Sequence, residues 1–185
     1  MTHKFLLPIL LVCCMSVSCS EEIIIKPKAA LLLEYPEPHY QYVKSNCHYA
    51  FDLNHIALLQ KRDGCNVNLE YPAMRATIHL TYNAINNNLD TLLYEAQKLT
   101  YSHTTRASKI DDFAYEDTLK NVYGQYFELG GNAATLSQFY VTDTVNHFIN
   151  GSLYFRSRPN FDSLYPAAVY LRQDIRRLME SLEWD

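Results

Sequence analysis

The second half of the chain contains three strand-like segments whose connections are too short for anything but hairpins. The segments cover residues 121–129, 134–142 and 147–155. Gly130-Gly131-Asn132 lies between the first two, and Asp143-Thr144 lies between the second and the third. Connections of this length join neighbouring antiparallel strands, and the glycine pair fits a tight turn. The sequence therefore predicts an antiparallel sheet.

A further strand precedes these segments, and its side chains alternate in character. The apolar residues Met74, Ala76, Ile78, Leu80 and Tyr82 alternate with the polar residues Arg75, Thr77, His79 and Thr81. A period of two is typical of a strand with one buried face.

Two segments have the periodicity of amphipathic helices. The first is predicted to begin at Asn88, and its apolar stripe consists of Leu89, Leu92, Leu93, Ala96 and Leu99. The second is predicted to begin at Asn160 or Asp162, and its stripe consists of Leu164, Ala168, Leu171, Ile175, Leu178 and Leu182. This second stripe has fewer than three heptads, which favours packing on the sheet over an exposed coiled-coil seam. The predicted fold class is α+β, with an antiparallel sheet covered by two main helices.

The composition agrees with one folded domain, which we predict to span residues 29–185. Hydrophobic residues make up 48% of the chain and aromatic residues 13%, as in globular rather than disordered proteins. No low-complexity tract or long linker divides the chain. The 16 basic and 20 acidic side chains give a negative net charge, so nucleic acid is not an expected partner.

The N-terminal segment has the features of an export signal that ends at a cysteine. Lys4 supplies the positive charge, residues 5–15 are almost entirely apolar, and Ser16-Val17-Ser18 directly precedes Cys19. The apolar run is about half the length of roughly 20 residues that a transmembrane helix needs. We therefore predict a lipoprotein signal peptide over residues 1–18 and acylation of Cys19, with palmitate among the acyl chains. The alternative is ordinary cleavage that leaves a free thiol.

Residues 19–28 are predicted to form a short tether after the lipidated cysteine. An extended chain reaches at most about 3.3 to 3.6 Å per residue. The folded domain is therefore expected to lie close to the membrane that holds Cys19.

The cysteine count supports this interpretation. Cys13 and Cys14 leave with the signal, so the exported chain keeps Cys19, Cys47 and Cys65, an odd number in an oxidising compartment. If Cys19 is acylated, Cys47 and Cys65 are left as a pair that could form a disulfide. Two unpaired thiols or a metal pair are the alternatives, although no CxxC motif or clustered histidine supports a metal.

The chain lacks the short motifs of several enzyme classes. Gly-x-Ser-x-Gly, His-Glu-x-x-His and a phosphate-binding glycine loop are all missing. We therefore predict no catalytic, cofactor-binding or metal-binding residues and a protein that is not an enzyme. The alternative is an envelope hydrolase in which His79 or His103 works with Asp111 or Asp112, although nothing in their spacing requires them to meet.

Basic residues concentrate towards the C-terminus, where acidic residues balance them. The basic set is Arg156, Arg158, Arg172, Arg176 and Arg177, and the acidic set is Asp162, Asp174, Glu180, Glu183 and Asp185. A solvated face with salt bridges within this stretch is the simpler interpretation. Binding of lipid headgroups or peptidoglycan through Arg156, Arg172 and Arg176 is the alternative. Met179 and Trp184 could instead contribute to an exposed surface for a protein partner.

Eight strings of the chain are not generic strand or helix patterns. They are YP at 71–72, ATIHLTY at 76–82, INNNLD at 85–90, EAQKLT at 95–100, GGNAA at 130–134, SQFYVTD at 137–143, GSLYF at 151–155 and LME at 178–180. Together with the Cys-ended signal and the final helix, they make nearly the whole chain resemble the gliding motility lipoprotein GldD family.

The resemblance implies a cell-envelope lipoprotein required for gliding motility and for type IX protein secretion. It implies no catalytic residues and no cofactor, and its partners would be other proteins of the gliding and secretion machinery. The membrane would be reached through the lipid anchor, with the domain in the periplasm. It also implies a Mog1/PsbP-like layering of helices on a sheet.

Overall fold

The computed structural model describes residues 34–45, 47–102, 107–157 and 160–185. The elements in these ranges follow in the order β1 (Tyr40–Lys44), β2 (Tyr49–Asn54), β3 (Leu58–Lys61), β4 (Val67–Tyr71), a 3-10 turn (Pro72–Met74), β5 (Ala76–Ala84), α1 (Leu89–Tyr101), β6 (Ala107–Asp117), β7 (Val122–Gly131), β8 (Thr135–Thr142), β9 (His147–Phe155), α2 (Phe161–Ser181) and β10 (Glu183–Trp184). The signal peptide and the tether lie outside the described residues.

The strands form two antiparallel sheets. The larger sheet has the order β3-β4-β5-β9-β8-β7-β6, and the smaller sheet has the order β1-β2-β10. The hairpins β7-β8 and β8-β9 confirm the predicted antiparallel neighbours. Strand β5 pairs with β9 along its whole length, from Ala76 opposite Phe155 to Ala84 opposite His147. The α+β fold class is thereby confirmed.

The glycine pair predicted to form a turn lies within a strand instead. Gly130 pairs with Lys109 and Gly131 pairs with Ala107, both on β6. The sequence analysis did not identify β6, because its many charged side chains hide the alternation of an edge strand. With β6 as a partner, β7 continues through both glycines, and the turn to β8 follows at residues 132–134.

Helix α2 packs against one face of the larger sheet and against the smaller sheet, and this packing forms the main core. Strands β2, β4, β5, β8 and β9 contribute Phe51, Leu69, Ile78, Val141 and Leu153, and α2 contributes Leu171, Ile175 and Leu178. The predicted stripe on this helix is confirmed from Ala168 to Leu182, and Leu164 is half-buried.

Helix α1 lies on the opposite face of the larger sheet. Two neighbouring residues of β7 show this, because successive side chains of a strand point to opposite faces. Tyr126 belongs to the core under α2, whereas its neighbour Phe127 packs with Leu92 and Ala96 of α1. The predicted stripe of α1 is only partly correct, since Leu99 is exposed and Thr100 is buried in its place.

The thirteen-residue helix α1 covers only part of its face. The buried cluster beneath it draws its sheet residues from β7, β8, β9 and the β7–β8 connection. On β5 the same face carries His79 and Thr81, which are exposed. The part of this face around His79 and Thr81 is therefore open and polar, and we call it the open half of the α1 face.

Candidate functional site

A disulfide joins the two sheets at one end of the molecule. Cys47 precedes β2 of the smaller sheet and Cys65 precedes β4 of the larger sheet, and their Cα atoms lie 5.5 Å apart. The hydroxyl of Tyr49 donates a hydrogen bond of 2.8 Å to the backbone oxygen of Cys65. This bridge fixes the start of β2 against the start of β4. Cys19, the predicted lipidation site, lies outside the described residues.

The residues of the predicted acid/base site are not brought together. His79 lies on β5, whereas Asp111 and Asp112 lie on β6, and strands β9, β8 and β7 separate them. The Nδ1 atom of His79 is 2.9 Å from Oδ1 of Asn68. Each aspartate also has its own neighbour, because Asp111 pairs with Lys109 at 2.8 Å and Asp112 accepts a 2.7 Å hydrogen bond from Gln125. His103 lies outside the described residues.

The arginines form salt bridges, but with partners other than the acidic residues of their own stretch. The nitrogen–oxygen distances are 3.0 Å for Arg172–Glu128, 3.6 Å for Arg176–Glu128, 3.2 Å for Arg156–Glu70 and 2.6 Å for Arg177–Asp52. The partners belong to β7, β4 and β2, because α2 lies against β7 and β2, and the Arg156 side chain just after β9 reaches across β5 to Glu70 of β4. The prediction that these arginines form salt bridges is therefore correct, but the predicted acidic partners are wrong. Arg158 lies outside the described residues.

One acidic residue of that stretch, Asp174, lies in the interior of the molecule. Its side chain is on α2 and the residue is 4% exposed. Tyr40 donates a 2.7 Å hydrogen bond to Oδ1, and the Asn54 amide nitrogen lies 3.0 Å from both carboxylate oxygens. The hydroxyl of Tyr71 is a further donor to this carboxylate. Asp174 thereby connects β1, β2, β4 and α2.

The electrostatics of this network follow from its burial. Removal from water disfavours the ionised form and raises the pKa of Asp174, while the hydrogen bonds from Tyr40, Asn54 and Tyr71 act in the opposite direction. Burial likewise raises the pKa of Tyr71. Because the carboxylate is buried and hydrogen-bonded to residues of three strands, we assign the network a structural role in holding the two sheets and α2 together.

An aromatic cluster lies beside the disulfide. The ring of His147 stacks on those of His48 and Trp184, with centroid distances of 5.5 and 5.3 Å, and its Nδ1 atom is 2.7 Å from the Tyr82 hydroxyl. Met179 is buried, at 2% exposure, within the core. The alternative of an exposed surface formed by Met179 and Trp184 therefore fails for Met179, whereas Trp184 is half-buried and stacks on His147.

A cavity with an aromatic lining lies between β6, β7 and α2. Its volume is about 290 Å³, and it is lined by Phe113, Ala114, Tyr115, Tyr126, Arg176, Met179 and Glu180. We call it the β6 groove. The Phe113 ring stacks on that of Tyr126 at 6.3 Å, and the Arg176 guanidinium lies 5.9 Å from both ring centres. Burial raises the pKa of Tyr126 to about 12, so its hydroxyl stays neutral beside the Arg176 guanidinium.

Sequence reasoning missed the β6 groove. Its lining comes from three elements, and one of them, β6, was not identified as a strand. The sequence signal that could have revealed it is Phe113-Ala114-Tyr115, an apolar triplet between Asp112 and Glu116. An apolar triplet of this kind indicates a binding surface only when its strand is known to lie at the edge of a sheet.

A second cavity lies where the β5–α1 and β8–β9 connections meet. Its volume is about 610 Å³, and it is lined mainly by polar residues of the 85–90 segment and by Thr144 and Val145. Asn88, the predicted helix cap, occupies the position before α1, but its Oδ1 accepts a hydrogen bond from the backbone N–H of Asn86 at 2.7 Å. The asparagines thus shape the turn into the helix.

The described residues contain neither a membrane-spanning helix nor a cluster of metal ligands. Neither helix in these ranges combines the length and the apolar character that crossing a bilayer demands. Likewise, no group of three or more His, Cys, Asp or Glu side chains in the same ranges is placed to hold a metal ion.

The comparison with protein families extends over nearly the whole chain. A family model described as "Gliding motility lipoprotein GldD" matches residues 20–184. This range contains all the elements described above, including the β6 groove and the disulfide. No curated protein and no solved structure matches the chain.

Proposed function

Because the chain belongs to the gliding motility lipoprotein GldD family, we propose that it is a lipid-tethered, non-enzymatic component of the machinery for gliding and type IX secretion. The observation that carries this proposal is the family match over residues 20–184, which begins directly after Cys19. A family model that covers the entire folded domain concerns the function of this domain, and the family is one of envelope lipoproteins.

In this proposal, acyl chains on Cys19 hold the protein at a membrane of the envelope. Several chains on one residue give durable binding, whereas a single chain gives only marginal binding. The tether over residues 19–28 keeps the domain in the periplasm within about 35 Å of the bilayer surface. The domain would therefore meet partners that are themselves in or near that membrane.

The placement of the polar residues supports a role in contacts over a role in chemistry. The hydrolase alternative needs a histidine and a carboxylate within hydrogen-bonding reach of one substrate. His79 is separated from Asp111 and Asp112 by three strands, and it lies on the open half of the α1 face. The arginines proposed for headgroup binding already have carboxylate partners, which lowers their capacity to bind an anion.

The tether can be tested by replacing the acylated residue. We expect Cys19→Ala to release the protein from the membrane fraction and to reduce gliding and secretion to the level of a deletion strain. Membrane fractionation, mass spectrometry of the N-terminal peptide, colony spreading and a secreted reporter measure these effects.

A matched control is Cys14→Ala, because Cys14 leaves with the predicted signal peptide. This variant should keep the acylation, the membrane fraction and normal gliding. A Cys19→Ala protein that is released into the soluble fraction and still supports full gliding and secretion would contradict the proposed tethered role.

A further inference from the structure

Strand β6 forms one edge of the larger sheet over eleven residues. It pairs with β7 from Asp117 opposite Val122 to Lys109 opposite Gly130, and a register shift follows near Ala107. No strand of the described chain lies on its other side. Backbone N–H and C=O groups on that side have no ladder partner there, and such an edge can accept an added strand. At the opposite edge, β3 has only four residues.

Exposed apolar side chains accompany this edge. Phe113, in the middle of β6, is 45% exposed and lies at the mouth of the β6 groove. Leu119, in the turn that leads to β7, is 94% exposed. Edge strands that merely avoid pairing with other chains carry charged residues and few large apolar side chains. A phenylalanine beside an aromatic-floored groove instead offers a pocket for a partner's side chain.

The charge of the edge indicates which partner fits. Strand β6 carries four carboxylates, at Asp111, Asp112, Glu116 and Asp117, and a single basic residue, Lys109, which already pairs with Asp111. Two copies of this strand placed side by side would bring like charges together, which is unfavourable. A strand with lysine or arginine would instead find opposite charges along its length.

We propose that β6 and the β6 groove bind an extended, lysine- or arginine-containing segment of another envelope protein, which joins the larger sheet as an eighth strand. Main-chain hydrogen bonds to β6 would provide affinity, and an apolar side chain in the groove beside Phe113 would set the register. Basic side chains of the segment would pair with Asp112 and Glu116. This inference rests on the proposed accessory role, since it assigns the surface through which that role is carried out.

The first test is crosslinking in intact, gliding cells. A photoactivatable phenylalanine analogue replaces Phe113 in the full-length lipoprotein, and a matched control carries it at Leu58, which is exposed on the opposite edge strand β3. We expect position 113, and not position 58, to crosslink to one protein, at a segment that mass spectrometry identifies as extended and rich in Lys or Arg.

The second test reverses the charge of the β6 edge in the protein that carries the photoactivatable residue at position 113. Asp112→Lys with Glu116→Lys should lower the crosslink yield at position 113 by about tenfold, because like charges would then face each other. The control Glu37→Lys with Asp63→Lys makes the same change of charge at exposed positions away from β6, and the yield should stay within about twofold.

Several outcomes would overturn the proposal. They are a crosslink from position 113 to a second copy of this chain, a crosslink to an acidic or helical segment, no crosslink at all, or a yield that survives charge reversal. If the reversed variant fails to fold, hydrogen exchange of the unmodified lipoprotein decides. With the purified crosslinked protein added, the amides of residues 109–117 must exchange at least about tenfold more slowly than without it.

Failure of this inference differs from failure of the proposed function. If the charge-reversed protein glides and secretes normally and position 113 finds no partner, the accessory role stands and the β6 surface does not. If position 113 crosslinks as expected but a strain lacking the protein glides and secretes normally, the surface stands and the accessory role does not.

Discussion

The two faces of the larger sheet are built in different ways. The face under α2 belongs to a core of 22 buried residues that includes the smaller sheet, whereas the cluster under α1 has seven. The α2 face also adjoins the disulfide and the buried Asp174 network. Since hydrophobic stabilisation grows with the apolar area removed from water, most of the folding free energy resides on the α2 side.

This difference shows which surface residues can be substituted without unfolding the protein. The α1 side leaves part of its sheet face open around His79 and Thr81. The β6 edge, where the two faces meet, presents Phe113 to solvent. The exposed positions around His79 and Thr81 can therefore vary, while the α2 side fixes the shape of the molecule and lines the β6 groove through Arg176 and Met179.

The largest expected effect comes from removing equivalent leucines on the two sides. Leu171→Ala, on α2, should lower the free energy of unfolding by about 4 kcal/mol, and Leu92→Ala, on α1, by about 2 kcal/mol, because the smaller cluster under α1 can relax around the lost atoms. Urea denaturation of the purified domain measures both values. Equal losses would break the distinction between the two faces.

The disulfide is expected to come next. Replacing both cysteines, Cys47→Ala with Cys65→Ala, should lower the free energy of unfolding by about 3 kcal/mol, because a loop of this size loses entropy in the unfolded state when it is closed. The bridged residues are 18 apart in sequence. A reducing agent should destabilise the natural protein by a similar amount and leave the double variant unchanged. A natural protein that is insensitive to reduction would argue against a stabilising bridge.

Asp174→Asn should lower the free energy of unfolding by about 2 kcal/mol, because the new amide N–H groups would face the donors of Tyr40 and Asn54. The effect should depend on pH. Burial raises the pKa of Asp174 above its ordinary value of 3.8. The folded state therefore holds this proton more tightly than the unfolded state does.

The sign of the pH dependence follows from that difference. The contribution of Asp174 is fully present below pH 3.8 and declines as the pH rises through the raised pKa of the folded state. The stability difference between the natural protein and Asp174→Asn should thus shrink as the pH rises over this window, as measured by urea denaturation at each pH. A difference that grows with pH would mean that the hydrogen bonds outweigh burial and lower the pKa.

The smallest effect is expected on the open half of the α1 face. His79→Ala should change the free energy of unfolding by less than about 0.5 kcal/mol, because the side chain is exposed. Gliding and secretion should stay normal. A folded His79→Ala protein that abolishes gliding would favour the hydrolase alternative and turn this open face into the functional site.

Local patterns were enough to predict the parts of the fold that depend on neighbours in sequence. The short connections on both sides of β8 predicted its two hairpins, and the alternating spacing from Ala168 to Leu182 predicted the buried stripe of α2. The cysteine count left Cys47 and Cys65 as a candidate pair on the condition that Cys19 is acylated, and the structure places these two residues in a bridge. The hairpins and the helix stripe depend on chain geometry over a few residues. The cysteine pairing depends on the number of cysteines in the exported chain.

The tertiary structure decided what depends on distant neighbours. Strand β5 meets β9 about 70 residues later. A Cβ atom on Gly151 would overlap the ring of Phe139, so the need for glycine there arises from a neighbouring strand. The carboxylate of Asp174 became a buried acceptor because Tyr40, Asn54 and Tyr71 converge on it.

The candidate surface shows the same division. Hydrophobic periodicity along the chain was sufficient to predict the α+β fold class, and the composition of the first 18 residues predicts export with a cysteine at the cleavage site. That β6 is an edge strand and that Phe113 borders a groove became evident only from the folded structure. Edge position and exposure are properties of which strands pair, and pairing energies are summed over contacts between segments far apart in sequence.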